Sequence, residues 1–185
     1  NGSDSSAVTV ASGDPVPRPD DPVREGYAFK GWLLDGEMYQ FNLPVTDDMT
    51  LAALWDLPWT YLQYEINTVD NGSTITLTQD VIAGTGDEAI TVPEDKTVTI
   101  DLDGHTISRN LQSAQYYGCV FRVDGNLTVT DSGDSGAITG SWNISNGGGV
   151  FVDKGGVFTL KSGTIRGNRV ENYSSGGGVY VENGI

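Results

Sequence analysis

Two aspartates and the only histidine of the chain stand within five positions, and they are the residues best suited to acid–base chemistry. In a fully extended strand Asp101, Asp103 and His105 would share one face, which could move a proton or hold a cation. The Asp103-Gly104 pair between them is typical of a tight turn, and Leu102 is an apolar residue that should point inward. We therefore predict a corner between two strands here, and no catalytic residue.

Two further groups of polar residues could be functional. The segment 131–136, Asp-Ser-Gly-Asp-Ser-Gly, offers oxygen ligands that suit Ca²⁺, but it lacks the spacing of an EF-hand and has the composition of an ordinary loop. Asn126, Asn143 and Asn172 each begin an N-glycosylation sequon, a pattern that arises by chance in a chain rich in Asn, Ser and Thr. We predict no metal site, no cofactor and no glycosylation.

Charged and aromatic residues could instead contact a saccharide without transforming it. The charged residues that could line a saccharide groove are Arg166, Arg169 and Glu171. The aromatic residues that could stack on sugar rings are Tyr116, Tyr117 and Tyr173. Tyrosines in loops also serve to cover a hydrophobic core, and the sequence leaves both roles open.

The composition excludes several classes of protein. The chain of 185 residues carries 25 acidic and 10 basic side chains, and its formal charge of −15 would repel the phosphates of a nucleic acid. No apolar stretch is long enough to span a membrane. The single cysteine, Cys119, cannot form an intramolecular disulfide, and its position in an apolar strand predicts an inward-facing thiol.

A repeat sets the architecture of the second half of the chain. Residues 147–152, Gly-Gly-Gly-Val-Phe-Val, return 29 positions later as Gly-Gly-Gly-Val-Tyr-Val at 176–181. Units of this length bury their apolar sides only by stacking into a solenoid, so we predict that Val150 lies over Val179 and Phe151 over Tyr180. A looser copy at 118–121 precedes residues 148–151 by 30 positions.

Short β-strands dominate the chain from residue 74 onward, with a single helix before them. Trp59, Leu62, Ile66 and Val69 follow a helical period after Pro58, which predicts an amphipathic helix over 58–69 that caps the open end of the solenoid. The predicted strands are short apolar runs between Gly, Asp, Asn or Ser: 74–78, 89–92, 97–102, 120–123, 127–129, 150–152, 157–160 and 179–181.

The part of the chain before this helix follows a different pattern. Residues 1–6 are polar and predict a flexible tail, whereas 7–56 predict a compact module that ends in the alternating strand 51–55. Prolines at positions 15, 17, 19 and 22 exclude a central strand or a helix between them. Tyr27, Phe29 and Trp32 should provide a small aromatic core.

The module resembles the Listeria–Bacteroides repeat, also called the internalin B-type repeat. The resemblance covers most of the module and rests on Gly13 with Pro19 and Pro22, on the segment 26–32 (Gly-Tyr-Ala-Phe-Lys-Gly-Trp), and on the following residues: Phe41, Pro44-Val45-Thr46 and Leu51 to Trp55. It implies a small β-grasp-like module of the kind found in tandem on bacterial surface proteins.

Residues 59–185 resemble a second group, the pectate-lyase-like β-helix segments of bacterial adhesins. The resemblance rests on residues 97–108, on the Gly-Gly-Gly-Val units and on phrases such as Ser162-Gly163-Thr164-Ile165. It implies a right-handed parallel β-helix. Enzymes on this scaffold use an Arg or Lys base with Ca²⁺ on aspartates, or several aspartates with Gly-His-Gly and Arg-x-Lys phrases, and neither arrangement is found in this chain.

Together the two patterns predict an all-β protein in which a β-grasp-like module (7–56) precedes the N-terminal part of a parallel β-helix (57–185). The expected function is non-enzymatic adhesion or structural support at the cell surface, with extracellular glycans or host surface proteins as partners. The alternative is a fragment of a secreted polysaccharide lyase or glycoside hydrolase with its catalytic coils beyond residue 185. The absence of a starting Met and the end inside a repeat lead us to expect a piece of a longer protein.

Overall fold

The computed structural model describes residues 6–24, 27, 29–55, 58–171 and 173–182. The chain divides into two compact units, residues 1–56 and 57–185. Almost the whole predicted tail, together with Gly26, Ala28 and the residues at the boundary between the units, lies outside the described residues. Nearly all of the described secondary structure is β, with one short helix, as predicted.

The first unit contains a three-stranded antiparallel sheet. Its strands are β1 (Phe29–Leu34), β2 (Glu37–Met38) and β3 (Ala52–Trp55), in the order β2-β1-β3. A bulge between Phe29 and Gly31 shifts the register of β1 against β3. Gly31 has a φ of 150°, and a Cβ there would overlap the Met38 Cε atom, so only glycine fits without moving that side chain.

An aromatic cluster packs beside this sheet. The ring of Phe29 meets those of Trp32 and Trp55 edge-on, with centroids 5.4 and 5.5 Å apart, in the geometry that aromatic pairs prefer. Leu51, Ala53 and Trp55 are half-buried and alternate with exposed residues, which confirms the predicted pattern of the closing strand.

The proline-rich segment avoids the sheet, as predicted. Its one β-type contact is an isolated antiparallel bridge between Pro15 and Pro44. Backbone bonds from Gly13 N to Val45 O (2.9 Å) and from Val45 N to Asp14 O (3.0 Å) flank this bridge. These bonds use donors on neighbouring residues, because proline has no N–H to offer.

The second unit begins with the predicted helix, α1 (Pro58–Thr68), which ends one residue earlier than expected. Pro58 suits the first helical position because that residue's N–H has no partner inside the helix. Trp59, Leu62 and Ile66 are buried along one stripe, and Val69 packs against the same core just after the helix ends. The helical period in the sequence therefore identified the buried face correctly.

Fourteen short strands follow the helix. In chain order they are β4 (Thr74–Thr76), β5 (Val81–Ile82), β6 (Ile90–Val92), β7 (Thr97–Asp101), β8 (Thr106–Ser108), β9 (Phe121–Val123), β10 (Asn126–Thr130), β11 (Ala137–Thr139), β12 (Trp142–Asn143), β13 (Val150–Val152), β14 (Val157–Leu160), β15 (Thr164–Ile165), β16 (Arg169–Val170) and β17 (Val179–Val181).

Parallel pairing of these strands builds a solenoid of four coils. Three sheets contain one strand from each coil, in the orders β4-β7-β10-β14, β5-β8-β11-β15 and β6-β9-β13-β17, and the pair β12-β16 forms a fourth, smaller sheet. We number the coils one to four by the strand that opens each: β4, β7, β10 and β14. The predicted parallel β-helix architecture is thus confirmed.

Several strands escaped prediction from the sequence. They are β5, β8, β11, β12, β15 and β16, each two or three residues long. Such runs are too short to show an alternating pattern, and ladder hydrogen bonds from the neighbouring coils define them instead.

The register confirms the stacking predicted from the repeat, and it differs by one residue from the spacing of the looser copy. Val150 pairs with Val179 and Phe151 with Tyr180, as the repeat predicted. In the looser copy, the sequence match aligns Phe121 with Phe151. In the structure, however, Phe121 pairs with Val150. Because neighbouring side chains point to opposite faces, the alignment from the sequence would place the half-exposed Phe151 over the fully buried Phe121.

The core consists of apolar columns that run through successive coils. One column contains Ile90, Phe121 and Val150, all completely buried, and another contains Ile75, Ile100 and Val129. Burial of each such side chain contributes about 1.5–3 kcal/mol relative to exposure.

Helix α1 also satisfies the polar backbone at the first edge of the solenoid. The side-chain amide of Gln63 donates to Thr91 O (2.9 Å) and accepts from Thr91 N (2.7 Å), so it takes the place of a neighbouring strand. Trp59 Nε1 donates to Glu88 O at 2.9 Å. The helix thereby covers backbone groups that would otherwise invite pairing with another chain.

Candidate functional site

The cluster of Asp101, Asp103 and His105 forms a corner of coil two, between β7 and β8. Asp103 and Gly104 have φ values of 44° and 82°, and His105 N donates to Leu102 O at 2.8 Å, which closes a tight turn. The extended arrangement that would align the three side chains is therefore not formed. The turn chemistry of Asp103-Gly104 decides the local structure.

Hydrogen bonds from the backbone occupy the carboxylate of Asp101. Its Oδ1 accepts from Ser132 N (2.9 Å) and from Asp103 N (3.2 Å). Slight burial acts to raise the pKa of Asp101, but the hydrogen bonds from Ser132 and Asp103 outweigh it, so that the pKa lies below its ordinary value. This carboxylate stays ionised at neutral pH and is poorly suited to act as a general acid.

His105 contacts a carboxylate of the preceding coil. Its Nδ1 lies 3.6 Å from Asp80 Oδ1, and the same oxygen accepts a hydrogen bond from Thr106 N at 2.8 Å. Asp103 Oδ1 in turn accepts from the Ser132 hydroxyl at 3.0 Å. These side chains tie one coil to the next at the corner.

Asp131, the first residue of the calcium candidate, is buried and uses both of its oxygens within the fold. Its Oδ1 accepts from Gly104 N (2.7 Å) and Gly133 N (3.3 Å), and its Oδ2 accepts from Gly136 N (2.7 Å). Asp131 N donates to the Ser162 hydroxyl of coil four at 2.7 Å. The segment is therefore a structural loop that links three coils.

A second corner depends on buried asparagine. Asn143 is almost fully buried, and its Oδ1 accepts from Gly118 N and Ser145 N, both at 3.1 Å, while its Nδ2 donates to Gly147 O at 2.9 Å. Burial leaves this sequon asparagine inaccessible to a glycosylating enzyme. Asn126 is exposed and donates to Thr97 Oγ1 at 3.0 Å, and Asn172 lies outside the described residues.

Two of the three charged residues that could line a saccharide groove, Arg169 and Glu171, both contact the side chain of Trp142. The guanidinium of Arg169 lies 3.5 Å from the centroid of the Trp142 ring, and Trp142 Nε1 donates to Glu171 Oε1 in a short hydrogen bond. Arg166 is exposed and does not join this contact. Trp142, which was not among the residues predicted from the sequence, lies one coil before Arg169 and pairs with it in register.

A second charged group, also not predicted from the sequence, lies on the sheet β6-β9-β13-β17. Arg122 Nε donates a hydrogen bond to Asp124 Oδ1 (3.0 Å), and Arg122 Nη2 forms a short ion pair with Asp153 Oδ2. Partial burial acts to lower the pKa of Arg122, but the neighbouring carboxylates raise it above its ordinary value. Phe151 and Tyr180 stack beside this group, with centroids 5.8 Å apart.

The cysteine thiol is buried, as predicted. Burial raises the pKa of Cys119 to about 11, so the thiol remains protonated near neutral pH and is a poor nucleophile. Across the part of the chain that the structure describes, His, Cys, Asp and Glu side chains form no group of three or more that could hold a metal ion. The same residues include no helix with the length and apolarity needed to cross a membrane.

The three tyrosines proposed as sugar contacts, Tyr116, Tyr117 and Tyr173, all project strongly into solvent. They belong to turns that precede β9 and β17, and they do not cover the core. The alternative role that the sequence left open is therefore wrong for these residues.

Comparisons with known proteins found a similarity for the first unit. Residues 1–54 match the family model of the Listeria-Bacteroides repeat domain, which agrees with the resemblance carried by the segment 26–32 and the closing strand. No curated protein and no solved structure matches the chain. The chain therefore joins a first unit that matches the model of the Listeria-Bacteroides repeat domain to a parallel β-solenoid.

Proposed function

We propose that this chain is part of a non-enzymatic adhesion or structural protein of the bacterial cell surface, in which the solenoid contacts extracellular glycans or host proteins. Domains of the Listeria-Bacteroides family occur in surface-associated bacterial proteins, and a solenoid offers an extended face rather than an enclosed pocket. The charge of −15 makes nucleic acid a poor partner.

The observation that carries this proposal is the use of the acidic side chains at the corner. Asp101 and Asp131 accept hydrogen bonds from backbone N–H groups of their own and neighbouring coils. His105 faces Asp80 of the coil before it. Carboxylates with these partners hold neighbouring coils together. A lyase or hydrolase would instead need carboxylates that face a substrate.

Surface exposure can be tested on cells that produce the full protein. Antibodies raised against the chain should label intact cells as strongly as permeabilised ones, whereas an internal control protein should be labelled only after permeabilisation. Labelling that requires permeabilisation would contradict a cell-surface location.

Turnover can be tested on the chain itself. We expect neither new reducing ends nor unsaturated uronates when it is incubated with pectin, alginate, xylan or cellulose. Release of either product, with loss of activity in Asp101→Asn or Asp103→Asn, would establish an enzyme and overturn the proposal.

A further inference from the structure

We propose that three stacked turns of the solenoid bind a neutral, pyranose-containing glycan, with Tyr117 and Tyr173 as its stacking platforms. The turns comprise residues 115–118 of coil two, 143–147 of coil three, and 170–171 with 173–175 of coil four, and we call them the tyrosine surface. The inference rests on the proposed recognition function and assigns it a place and a ligand class.

Exposure distinguishes these tyrosines from structural ones. Tyr116 and Tyr117 are 74% and 70% exposed, and Tyr173 is fully exposed. Rings that cover a core lose most of their accessible area, and none of these does. Solvent-exposed aromatic rings that cluster at one place are typical of binding surfaces.

The backbone at two of these tyrosines is in an unfavourable conformation. Tyr117 and Tyr173 have φ values of 57° and 67°, in the left-handed region that bulky residues rarely adopt. The other described non-glycine residues with positive φ are all aspartate or asparagine, which tolerate it: Asp35, Asp103, Asn110 and Asp134. Tyrosine costs stability at both places, and such strain concentrates at functional sites.

Hydrogen bonds between coils hold the three turns in a fixed order. Ile144 N donates to Gln115 O (2.9 Å), and the Ser174 hydroxyl donates to Ile144 O (2.8 Å). Ile144, Ser145 and Asn146 of the middle turn are less exposed than the tyrosines of the turns on either side. Those turns are two coils apart, about 10 Å along the axis, because neighbouring parallel strands are about 4.8 Å apart.

The chemistry of the surface favours a neutral ligand. A tyrosine ring presents a flat apolar face for the C–H groups of a pyranose, and its hydroxyl can exchange hydrogen bonds with sugar hydroxyls. Arg169, the cation on coil four beside the third turn, already stacks on Trp142, and Glu171 bonds the same indole. The chain has a net charge of −15 and the tyrosine surface contains neither Lys nor Arg, so an acidic sugar would be repelled.

Titration calorimetry of the chain with defined hexasaccharides tests the proposal. The probes are neutral hexamers of β-glucan, mannan, galactan and N-acetylglucosamine, with hexagalacturonate as the acidic comparison. We expect at least one neutral hexamer to bind and hexagalacturonate not to bind.

Matched variants then locate the site. Tyr117→Asn and Tyr173→Asn remove a ring but suit the positive φ, so both should fold and each should weaken binding roughly tenfold. Tyr173→Phe keeps the ring and should bind within about threefold of the original chain, because only the hydroxyl contact is lost. Tyr64→Asn alters an exposed tyrosine of helix α1 and should leave the affinity unchanged.

The proposal is overturned if no neutral hexamer binds, if hexagalacturonate binds equally well, or if both Asn variants keep full affinity while their circular dichroism matches that of the original chain. Binding of a host protein that requires the same two tyrosines, without any glycan binding, would also overturn it. None of these results affects the labelling of intact cells, so the failure of this site and the failure of the surface proposal are distinguishable.

Discussion

The two units of the chain use the same kinds of residue with very different burial. In the described part of the first unit, Gly31 is the only buried residue, and the aromatic rings of Phe29, Trp32 and Trp55 pack edge-on while remaining partly exposed. In the second unit, Phe121 and Ile100 are completely buried within columns that run through the coils. Stacking of coils thus produces a core that a single small sheet cannot.

This difference has an energetic consequence. A small domain buries a smaller share of its surface than a longer one, and its stability is correspondingly marginal. Each inner coil of the solenoid instead covers the apolar residues of both neighbours. We therefore expect the solenoid to be the more stable unit.

The largest effect should come from a matched pair of phenylalanines. Phe121→Ala should destabilise the solenoid by about 3–5 kcal/mol, because it empties the middle of a closed column. Phe29→Ala should destabilise the first unit by about 1–2 kcal/mol, because the ring is half-exposed and loses two edge contacts. Differential scanning calorimetry should show two unfolding transitions, and each variant should lower the midpoint temperature of only one of them. A single transition that both variants shift equally would contradict the contrast.

The next effect concerns the capping helix. Leu62→Asp places a charge in the stripe that contacts β6 and should remove about 2–3 kcal/mol of burial, which frees the edge of that strand. The variant should self-associate, as measured by light scattering over a range of concentrations. Tyr64→Asp, on the exposed side of the same helix, serves as the control and should remain like the original chain. Equal association of both variants would refute a specific capping role.

A smaller effect should follow from Asp131→Asn. The amide can no longer accept all three backbone hydrogen bonds, since one carboxylate oxygen becomes an NH₂ donor, and the solenoid should lose about 1–3 kcal/mol. Asp134→Asn in the same loop is the control, because Asp134 is exposed and asparagine tolerates its φ of 65°. Urea denaturation measures both variants, and similar losses would show that the carboxylate of Asp131 has no special role.

The smallest effect is visible only in acid. The pKa of Asp101 is lower in the folded protein than the ordinary value of about 4, so its contribution to stability is complete above that pH. It is lost as the pH falls through the lowered pKa, because the unfolded state then binds more protons. Asp101→Asn should therefore reduce the acid-induced loss of stability below about pH 4. A pH profile identical to that of the original chain would contradict this role of the carboxylate.

Much of the architecture could be predicted from local patterns. The stripe of Trp59, Leu62 and Ile66 predicted the helix and its buried face, and the repeated Gly-Gly-Gly-Val predicted the register of β13 against β17. The looser copy at 118–121 did not predict the register correctly. The sequence match aligns Phe121 with Phe151, whereas in the structure the fully buried Phe121 pairs with Val150.

The candidate site was less predictable than the fold. Trp142 meets Arg169 and Glu171 only because the coils stack, and Arg122 reaches Asp153 for the same reason. The residues in each of these contacts are separated by about one coil in the sequence. Because the loops differ in length, however, a fixed repeat length could not predict which residues of neighbouring coils lie opposite each other.

By itself the sequence determined the classes of element: a small module with an aromatic cluster, one amphipathic helix, and repeated β-strands with glycine corners. These follow from local patterns of apolar, turn-forming and proline residues, which act over a few positions. Only the tertiary structure decided the pairing of Phe121 with Val150, the use of Asp131 as a link between coils and the exposure of Tyr117 and Tyr173. Each of these depends on which residue of the next coil lies opposite, and that is fixed when side chains of different coils compete for the same interior.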